Sequence, residues 1–391
     1  MDTQNTPIHI RLWNRHFWRL ALANLFLVMS VYMLIPTLPL HLYTHGYTNS
    51  QLGWVMLCFS LGMFIFGGFS GYLVQRFRRN VVCILSILCM TACTGFLYYL
   101  GSLKDNNIDF NLLLVLRLVQ GAFYGLAQMV LLGTLIIDTV EASHRTEANY
   151  SVTWFGRFAL ALGSLVALII YHQLNDGIVL LGSCFCSIAA MLLVKSVNFP
   201  FRAPEETIRV FSLDRFILKQ GGWLSVTLVS STALIGLMLS ISFSANFFYL
   251  LMFGFVLALL AERFAFANAD LKSEGVTGLL LIGVAMLLML TRTQNIVNLI
   301  TPTFMGLGIG LIGSRFLLFF IKLSKHCQRG TSQTTFLLSW EFGLGLGLFI
   351  GYSLLNQNKD LILEVGIVLT VFTLLIYHFY VHSWYVKHRN R

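Results

Sequence analysis

Four ionisable side chains lie deep inside long apolar runs of this 391-residue chain: Arg117, Arg157, Arg315 and Glu341. An ionised group in hydrocarbon costs at least about 2.5–3.5 kcal/mol at mid-span, so each is a functional-site hypothesis by default. Glu341 is the one acid well inside a run, because Asp138, Glu262 and Glu364 stand near run ends. It is therefore the candidate proton-coupling group: burial disfavours the ionised carboxylate and a nearby arginine favours it, so movement of Arg157 or Arg117 relative to Glu341 loads and releases a proton. A permanent Glu–Arg pair holding helices together is the competing account. Arg315 lies seven residues before Lys322, about 10 Å along a helix, and reads as a snorkelling or packing side chain as readily as a cavity residue. Trp154 and Trp340 each precede an intramembrane charge and offer a ligand stacking surfaces, or pack between helices. Asn24 and Gln128 are polar cavity candidates, with interhelical hydrogen bonding as the alternative. Three arginines against one glutamate leave a formal interior charge of +2, which an anionic or zwitterionic substrate complements.

The elements that hold these residues follow from composition. The chain is 57% hydrophobic and 11% charged, with mean hydropathy +0.76, whereas a soluble domain carries roughly a quarter charged residues. Windows of about 19 residues predict spans at 17–38, 51–73, 80–100, 111–137, 149–171 and 177–196. A second series falls at 222–240, 246–262, 275–291, 296–321, 333–355 and 360–383. The expected fold is an all-α membrane protein with twelve transmembrane helices. Residues 222–262 are almost unbroken apolar sequence, and one helix of that length would run roughly 60 Å, about twice the bilayer core. A tight turn is therefore expected at Ser240–Asn246.

Twenty of the 26 Lys and Arg fall in the termini and alternate loops on one side, against three on the other, Lys104, Arg292 and Lys359. This positive-inside split places both termini in the cytoplasm of a bacterial-type inner membrane. It also accounts for the net charge of +10, leaving a nucleic-acid partner unnecessary. No cleavable signal peptide is expected, because the first apolar run is too long, and that run serves as the targeting signal. Six cysteines lie inside spans and Cys327 in a cytoplasmic loop, so no structural disulfide is expected. Cys184 and Cys186 point to different sides of a helix with no histidine nearby, which reads as small apolar filler, and no metal is expected.

The chain contains an internal repeat. Leu73-Val74-Gln75-Arg76-Phe77 after the second span matches Leu260-Ala261-Glu262-Arg263-Phe264 after the eighth, and Arg145-Thr146 before the fifth matches Arg329-Gly330 before the eleventh. Arg157 and Glu341 each lie twelve residues beyond their landmark arginine, and Gly163 and Gly347 eighteen. The reading is two pseudo-symmetric six-helix bundles, 1–197 and 222–391, with a substrate site between them near mid-membrane. Arg157 and Glu341 then face each other at matching depth and pair when the cavity closes. The cytoplasmic linker 198–221 carries Pro200, Pro204, Glu205 and Glu206. Its second part, Ile208–Lys219, either lies along the membrane surface or is a solvated connector.

At these residues the chain resembles the major facilitator superfamily. The family's loop between spans two and three reads about G-x-L-x-D-R-x-G-R-[RK], and here Gly71, Leu73, Arg76 and Arg79 match, with Gln75 at the acidic position and Arg78 at the second glycine. The resemblance implies a conformational latch at Gly71, Gln75, Arg76 and Arg79, weakened because Gln75 only hydrogen-bonds. Arg117-Leu-Val-Gln120-Gly121 resembles the R-x-x-Q-G motif, whose arginine is implicated in proton transfer. Pro36-Thr-Leu-Pro39 is similar to the P-x-x-P of twelve-span drug exporters. Their antiporter motif is matched by Gly156 and Gly163 but has Ser164 where its proline belongs.

The function these features imply is secondary active transport by alternating access, a proton-coupled export of a small amphipathic molecule by a monomer in the bilayer. Proton-coupled import of a sugar-like or organic-anion solute is the alternative. A membrane-embedded enzyme would need a clustered catalytic set, and His172 with Asp176 is the sole hint of one. A channel would need a polar stripe. Glycines 306, 308 and 310 and glycines 343, 345 and 347 lack the following lysine of a nucleotide loop, so close helix packing is expected, with no cofactor.

Overall fold

The computed structural model describes residues 12–102, 109–141, 144–174, 176–199, 209–267, 269–292, 294–325 and 328–389. Arg11, Lys104, Arg202, Cys327, Arg391 and the Pro200–Glu206 stretch lie outside them. Among the described residues eleven helices are long and apolar enough to cross a bilayer, and a bent pair brings the crossings to twelve. They are α1 (Arg15–Thr44), α2 (Asn49–Gly62 with Gly67–Arg76), α3 (Arg79–Gly101), α4 (Phe110–Asp138), α5 (Arg145–Gln173) and α6 (Gly177–Lys195). After the linker come α7 (Lys219–Leu239), α8 (Ala245–Phe264), α9 (Leu271–Thr291), α10 (Asn295–Leu323), α11 (Arg329–Leu354) and α12 (Lys359–His388). An even number of crossings puts both termini on one face, here the terminal face.

Local chemistry sets the ends. The Asn14 side chain caps α1 by accepting from the Phe17 amide at 2.8 Å. Thr48 and Gln51 form a reciprocal capping box at the start of α2, and Asn358 caps α12. The long apolar stretch divides as its length required, with α7 ending at Leu239 and α8 beginning at Ala245. Helix α2 bends by 42° where Gly67-Gly68 resumes the helix after a short break, glycine being a poor helix former. Large apolar side chains such as Leu85, Phe185, Val226, Val368 and Phe379 remain exposed along the outward faces, where lipid replaces water.

Helix packing in the first half recurs six helices later. Helix α1 packs on α5 and α6, α2 on α4, and α3 on α4 and α6; α7 packs on α11 and α12, α8 on α10, and α9 on α10 and α12. The landmark arginines start α5 and α11. Gly163 abuts Met29 of α1, and Gly347 abuts Ala233 and Leu237 of α7, so the matched glycines make matched close approaches. The glycines of α10 serve three neighbours: Gly306 meets Gly254 of α8, Gly308 meets Gly278 of α9, and Gly310 meets Ala258 of α8 and Trp154 of α5.

The main contacts that join the sets are α2 with α11 and α5 with α8, with smaller ones of α11 on α4 and of α10 on α5. On the face opposite the termini, Asn49 Nδ2 donates to Asn356 O at 3.3 Å and the Ser50 and Ser353 hydroxyls lie 3.1 Å apart. On the terminal face, a Cβ placed on Gly330 of α11 would lie 2.8 Å from the Gly133 carbonyl of α4, within a π-helical turn at Leu131–Leu135. The two sets therefore touch near both faces.

The described part of the linker is held by protein at some positions and exposed at others. It is a strap between α2 and α11: the Ser212 amide donates to Gly68 O at 2.9 Å, Thr331 Oγ1 to Asp214 O at 2.9 Å, and the Leu218 amide to Thr335 Oγ1 at 2.8 Å. Phe211 and Phe216 lie against Gly68 and Gly67, where side chains would exclude them. Phe216 and Leu218 are thus taken up by protein, while Val210, Phe211, Leu213 and Ile217 remain exposed.

Candidate functional site

Between the two sets, near their middle, α1, α4, α5 and α11 enclose a cavity of about 40 Å³. It admits a few water-sized groups and is far smaller than a site for a drug-sized ligand. Each helix contributes one face at helical spacing: Asn24, Val28 and Tyr32 from α1; Gln128 and Leu132 from α4; Thr153, Gly156, Arg157 and Leu160 from α5; Gln333, Leu337, Trp340 and Glu341 from α11.

Glu341 is 3% exposed and hangs from α11 into contacts made by the first set of helices. The Tyr32 hydroxyl of α1 donates to its Oε1 at 2.6 Å, and Ser60 Oγ of α2 donates to its backbone carbonyl at 3.0 Å. Tyr124 of α4 lies close to the same carboxylate, with its hydroxyl unbonded in this conformation. A charged or protonated Glu341 therefore changes a bond that spans the interface between the sets.

The cavity wall carries polar atoms without partners. Asn24 Oδ1, both amide atoms of Gln128, Gln333 Oε1 and all three guanidinium nitrogens of Arg157 are buried and make no hydrogen bond. Buried polar groups are bonded in the great majority of cases, and each unbonded one costs about 1–3 kcal/mol, more when charged. Such a wall is complementary to a ligand that supplies acceptors for Arg157 and both donor and acceptor for Gln128. Arg157 is meanwhile held over the Trp154 ring, 4.3 Å from its centroid, a cation–π contact that offsets part of the cost.

Of the residues singled out by their sequence positions, Glu341, Arg157, Asn24, Gln128 and Trp340 line this cavity. Arg157 and Glu341 share it but form no ion pair in this conformation. Trp154 stands behind Arg157. Arg117 is outside the lining, buried among the first helices: its Nη1 donates to Gln120 Oε1 at 2.6 Å, Gln120 Nε2 donates to Thr94 at 2.8 Å, and the guanidinium sits 4.7 Å from the Phe59 ring centroid. Phe59 in turn packs on Tyr124 at 5.4 Å, so two rings stand between Arg117 and Glu341 along this path. Arg315 is also outside, paired with Glu274 of α9.

Glu262 and Glu274 alter the charge balance inferred from sequence. Glu274 is fully buried. Glu262, at the end of α8, accepts hydrogen bonds from Tyr150 of α5 and Ser314 of α10. With these two acids the three arginines meet three glutamates, and the formal interior charge falls from +2 to zero. Glu262 reads as terminal in the sequence because α8 is only as long as its apolar run, but α5 and α10 extend past it and half-bury it.

At the terminal face Gly71 and Arg79, two of the four residues expected to form a latch, line a second cavity of about 290 Å³ together with Arg145, Arg215, Arg329 and Asp138. Arg79 pairs with Asp138 at 2.5 Å, while Arg76 is exposed at the end of α2. The helix-end position of Asp138 gives no hint in the sequence of this basic surround.

A family model described as the Major Facilitator Superfamily matches residues 20–381. Among curated proteins, the quinolone resistance protein NorA of Staphylococcus aureus strain MRSA252 is 25% identical over 128 residues, 32% of this chain. NorA of strain COL is 24% identical over the same length. The match spans only 31% of these relatives' length. Among solved structures, the human organic anion transporter MFSD10 (TETRAN) has TM-score 0.68 at 14% identity, covering 93% of this chain and 99% of that one. A point mutant of the nucleoside transporter NupG has TM-score 0.67 at 12% identity, covering 93% and 99%.

Proposed function

The chain belongs to the Major Facilitator Superfamily and is a multi-pass transporter of small molecules, and on that premise we propose that it exports amphipathic anionic or zwitterionic molecules in exchange for protons. The observation that carries this reading is the cavity wall, where the unbonded Arg157 guanidinium and Gln128 amide face the same space as the buried carboxylate of Glu341. Arg157 receives the acidic group of the substrate, Trp340 and Phe336 flank its apolar body, and Glu341 carries the proton. Because Tyr32 and Ser60 bind Glu341 across the interface, protonation there changes the cohesion of the two sets.

Alternating access follows if 1–197 and 222–391 move as two bodies joined by 198–221, as the recurrence of packing pairs supports. With the basic residues concentrated on the terminal face, both termini lie in the cytoplasm of a bacterial-type inner membrane, and the protein works as a monomer. Export is supported by the likeness to proteins named for quinolone resistance.

Everted membrane vesicles test the reading, with a zwitterionic quinolone as probe and an imposed pH gradient, acidic inside. Accumulation inside the vesicles that collapses with a protonophore is expected. Accumulation indifferent to the gradient would remove the proton from the mechanism, and uptake confined to right-side-out vesicles would reverse the direction.

A further inference from the structure

The terminal cavity is a layer of its own. Along α4, Gln128 and Leu132 line the central cavity while Met129 and Gly133 line the terminal one. Along α11, Gln333 and Leu337 line the central cavity while Gly330 and Thr334 line the terminal one. The terminal wall is contributed by parts that must separate when this face opens. Arg79 of α3, Asp138 of α4 and Arg145 of α5 come from the first set, Arg215 from the linker and Arg329 of α11 from the second set. Four arginines to one carboxylate give the wall a formal charge of +3. Asp138 lies 2.5 Å from Arg79, and Arg145 Nε is buried without a hydrogen bond. Helices α5 and α11 both begin at lining arginines, so the positive ends of their dipoles add to the same sign. Bringing the two sets together here gathers like charges from both, at a Coulombic cost that one carboxylate offsets only in part.

We propose that the terminal cavity binds a phosphate group, which bridges the arginines of the first set and the linker to Arg329 and holds the two sets together at this face. Phosphate suits the wall in charge and in shape, since the planar forks of arginine match its oxygens in pairs. It suits the space as well: about 290 Å³ takes a phosphate group with several waters, each water needing roughly 30 Å³. The group is supplied free in solution or as the headgroup of an anionic phospholipid at the same face. Binding breaks and forms no covalent bond. It favours the arrangement in which the arginines are gathered, and so sets how often the central cavity is presented to the terminal side. This control acts independently of what the central cavity carries.

Two readouts on the purified full-length chain test it. One is thermal unfolding; the other is the distance, by pulsed electron paramagnetic resonance, between spin labels at Phe77→Cys and Ser273→Cys in a background free of other cysteines. Both residues are exposed, one in each set. In uncharged detergent, inorganic phosphate is titrated against chloride at equal ionic strength, which cancels general screening. A saturating rise in Tm that chloride does not give is expected, together with a shift of the label pair to its shortest distance. Arg329→Gln should weaken phosphate about tenfold. Asp138→Asn removes the carboxylate that competes for Arg79, and should tighten phosphate about tenfold. A second arm places the chain in phosphatidylcholine nanodiscs with and without phosphatidic acid and no free phosphate. Arginine-dependent effects in detergent assign the group to solution, and the same effects with phosphatidic acid alone assign it to lipid. A response equal to that of chloride in detergent, with none to phosphatidic acid, overturns the proposal. So does binding that leaves the label distance unchanged or is indifferent to Arg329→Gln. Should that variant not fold, Arg329→Lys takes its place: it keeps the charge but loses the fork, so weaker binding is expected and wild-type affinity is the contrary result.

Discussion

Replacing Glu341 by glutamine separates proton coupling from packing. The amide is nearly isosteric, and its oxygen still accepts from Tyr32 Oη at the 2.6 Å position of Oε1. What is lost is the carboxylate's charge assistance, a difference of about 1 kcal/mol, and the ability to take up a proton. The variant is therefore expected to fold, and to bind substrate within about tenfold of wild type. Transport behaves differently. A gradient of one pH unit stores about 1.4 kcal/mol per proton, which supports up to about tenfold accumulation for each proton exchanged and about hundredfold for two. Wild-type vesicles should approach one of these limits for a probe with no net charge. Glu341→Gln should lose about tenfold of accumulation for each unit of gradient while retaining exchange of labelled for unlabelled probe, because exchange needs the alternating motion but no net proton. Counting accumulated probe against the imposed gradient in reconstituted vesicles decides the matter. Full gradient-driven accumulation by the variant would refute the coupling role and leave Glu341 a structural acceptor.

Arg157→Gln should weaken binding of an anionic probe by tenfold or more, an amount ordinary for a charge-assisted hydrogen bond, and leave a cationic probe unaffected; equal effects on both would remove the anion assignment. Ser50→Cys with Ser353→Cys, in a background free of other cysteines, should form a disulfide because the native hydroxyls lie 3.1 Å apart; transport should stop on oxidation and return on reduction, and unimpaired transport by the crosslinked protein would exclude separation of α2 and α11 from the cycle. Gly330→Val places side-chain carbon against the Gly133 carbonyl and should prevent closure at the terminal face, seen as increased labelling of a cysteine introduced at Thr334; unchanged labelling would argue against that seal. Gln128→Leu removes two unbonded polar atoms and should stabilise the fold by about 1–2 kcal/mol while reducing probe binding; a stability loss would point to a bonded role for the amide.

Much of this architecture is written in local chemistry. The spans are legible because twelve apolar runs have lengths set by the bilayer, and the turn before Ala245 is demanded by reach alone. The paired landmarks Arg145 and Arg329 locate the starts of α5 and α11, and with them the residues that face the cavity twelve positions on. The contributors Tyr32, Thr153 and Gln333 escape a search for charges and tryptophans, although their spacing from Asn24, Arg157 and Glu341 places them on the same helical faces.

The sequence by itself determined that this chain lives in a membrane, how often it crosses, and four of the six charges that must be accounted for, because hydrocarbon penalises each residue according to its own chemistry. Which charges meet was decided only by the tertiary structure. Arg315 belongs to Glu274, Arg157 lies over Trp154 and lines the cavity, and Glu341 is bonded to Tyr32. The half-burial of Glu262 and the course of the linker between α2 and α11 depend on neighbours far along the chain, so no local window contains them.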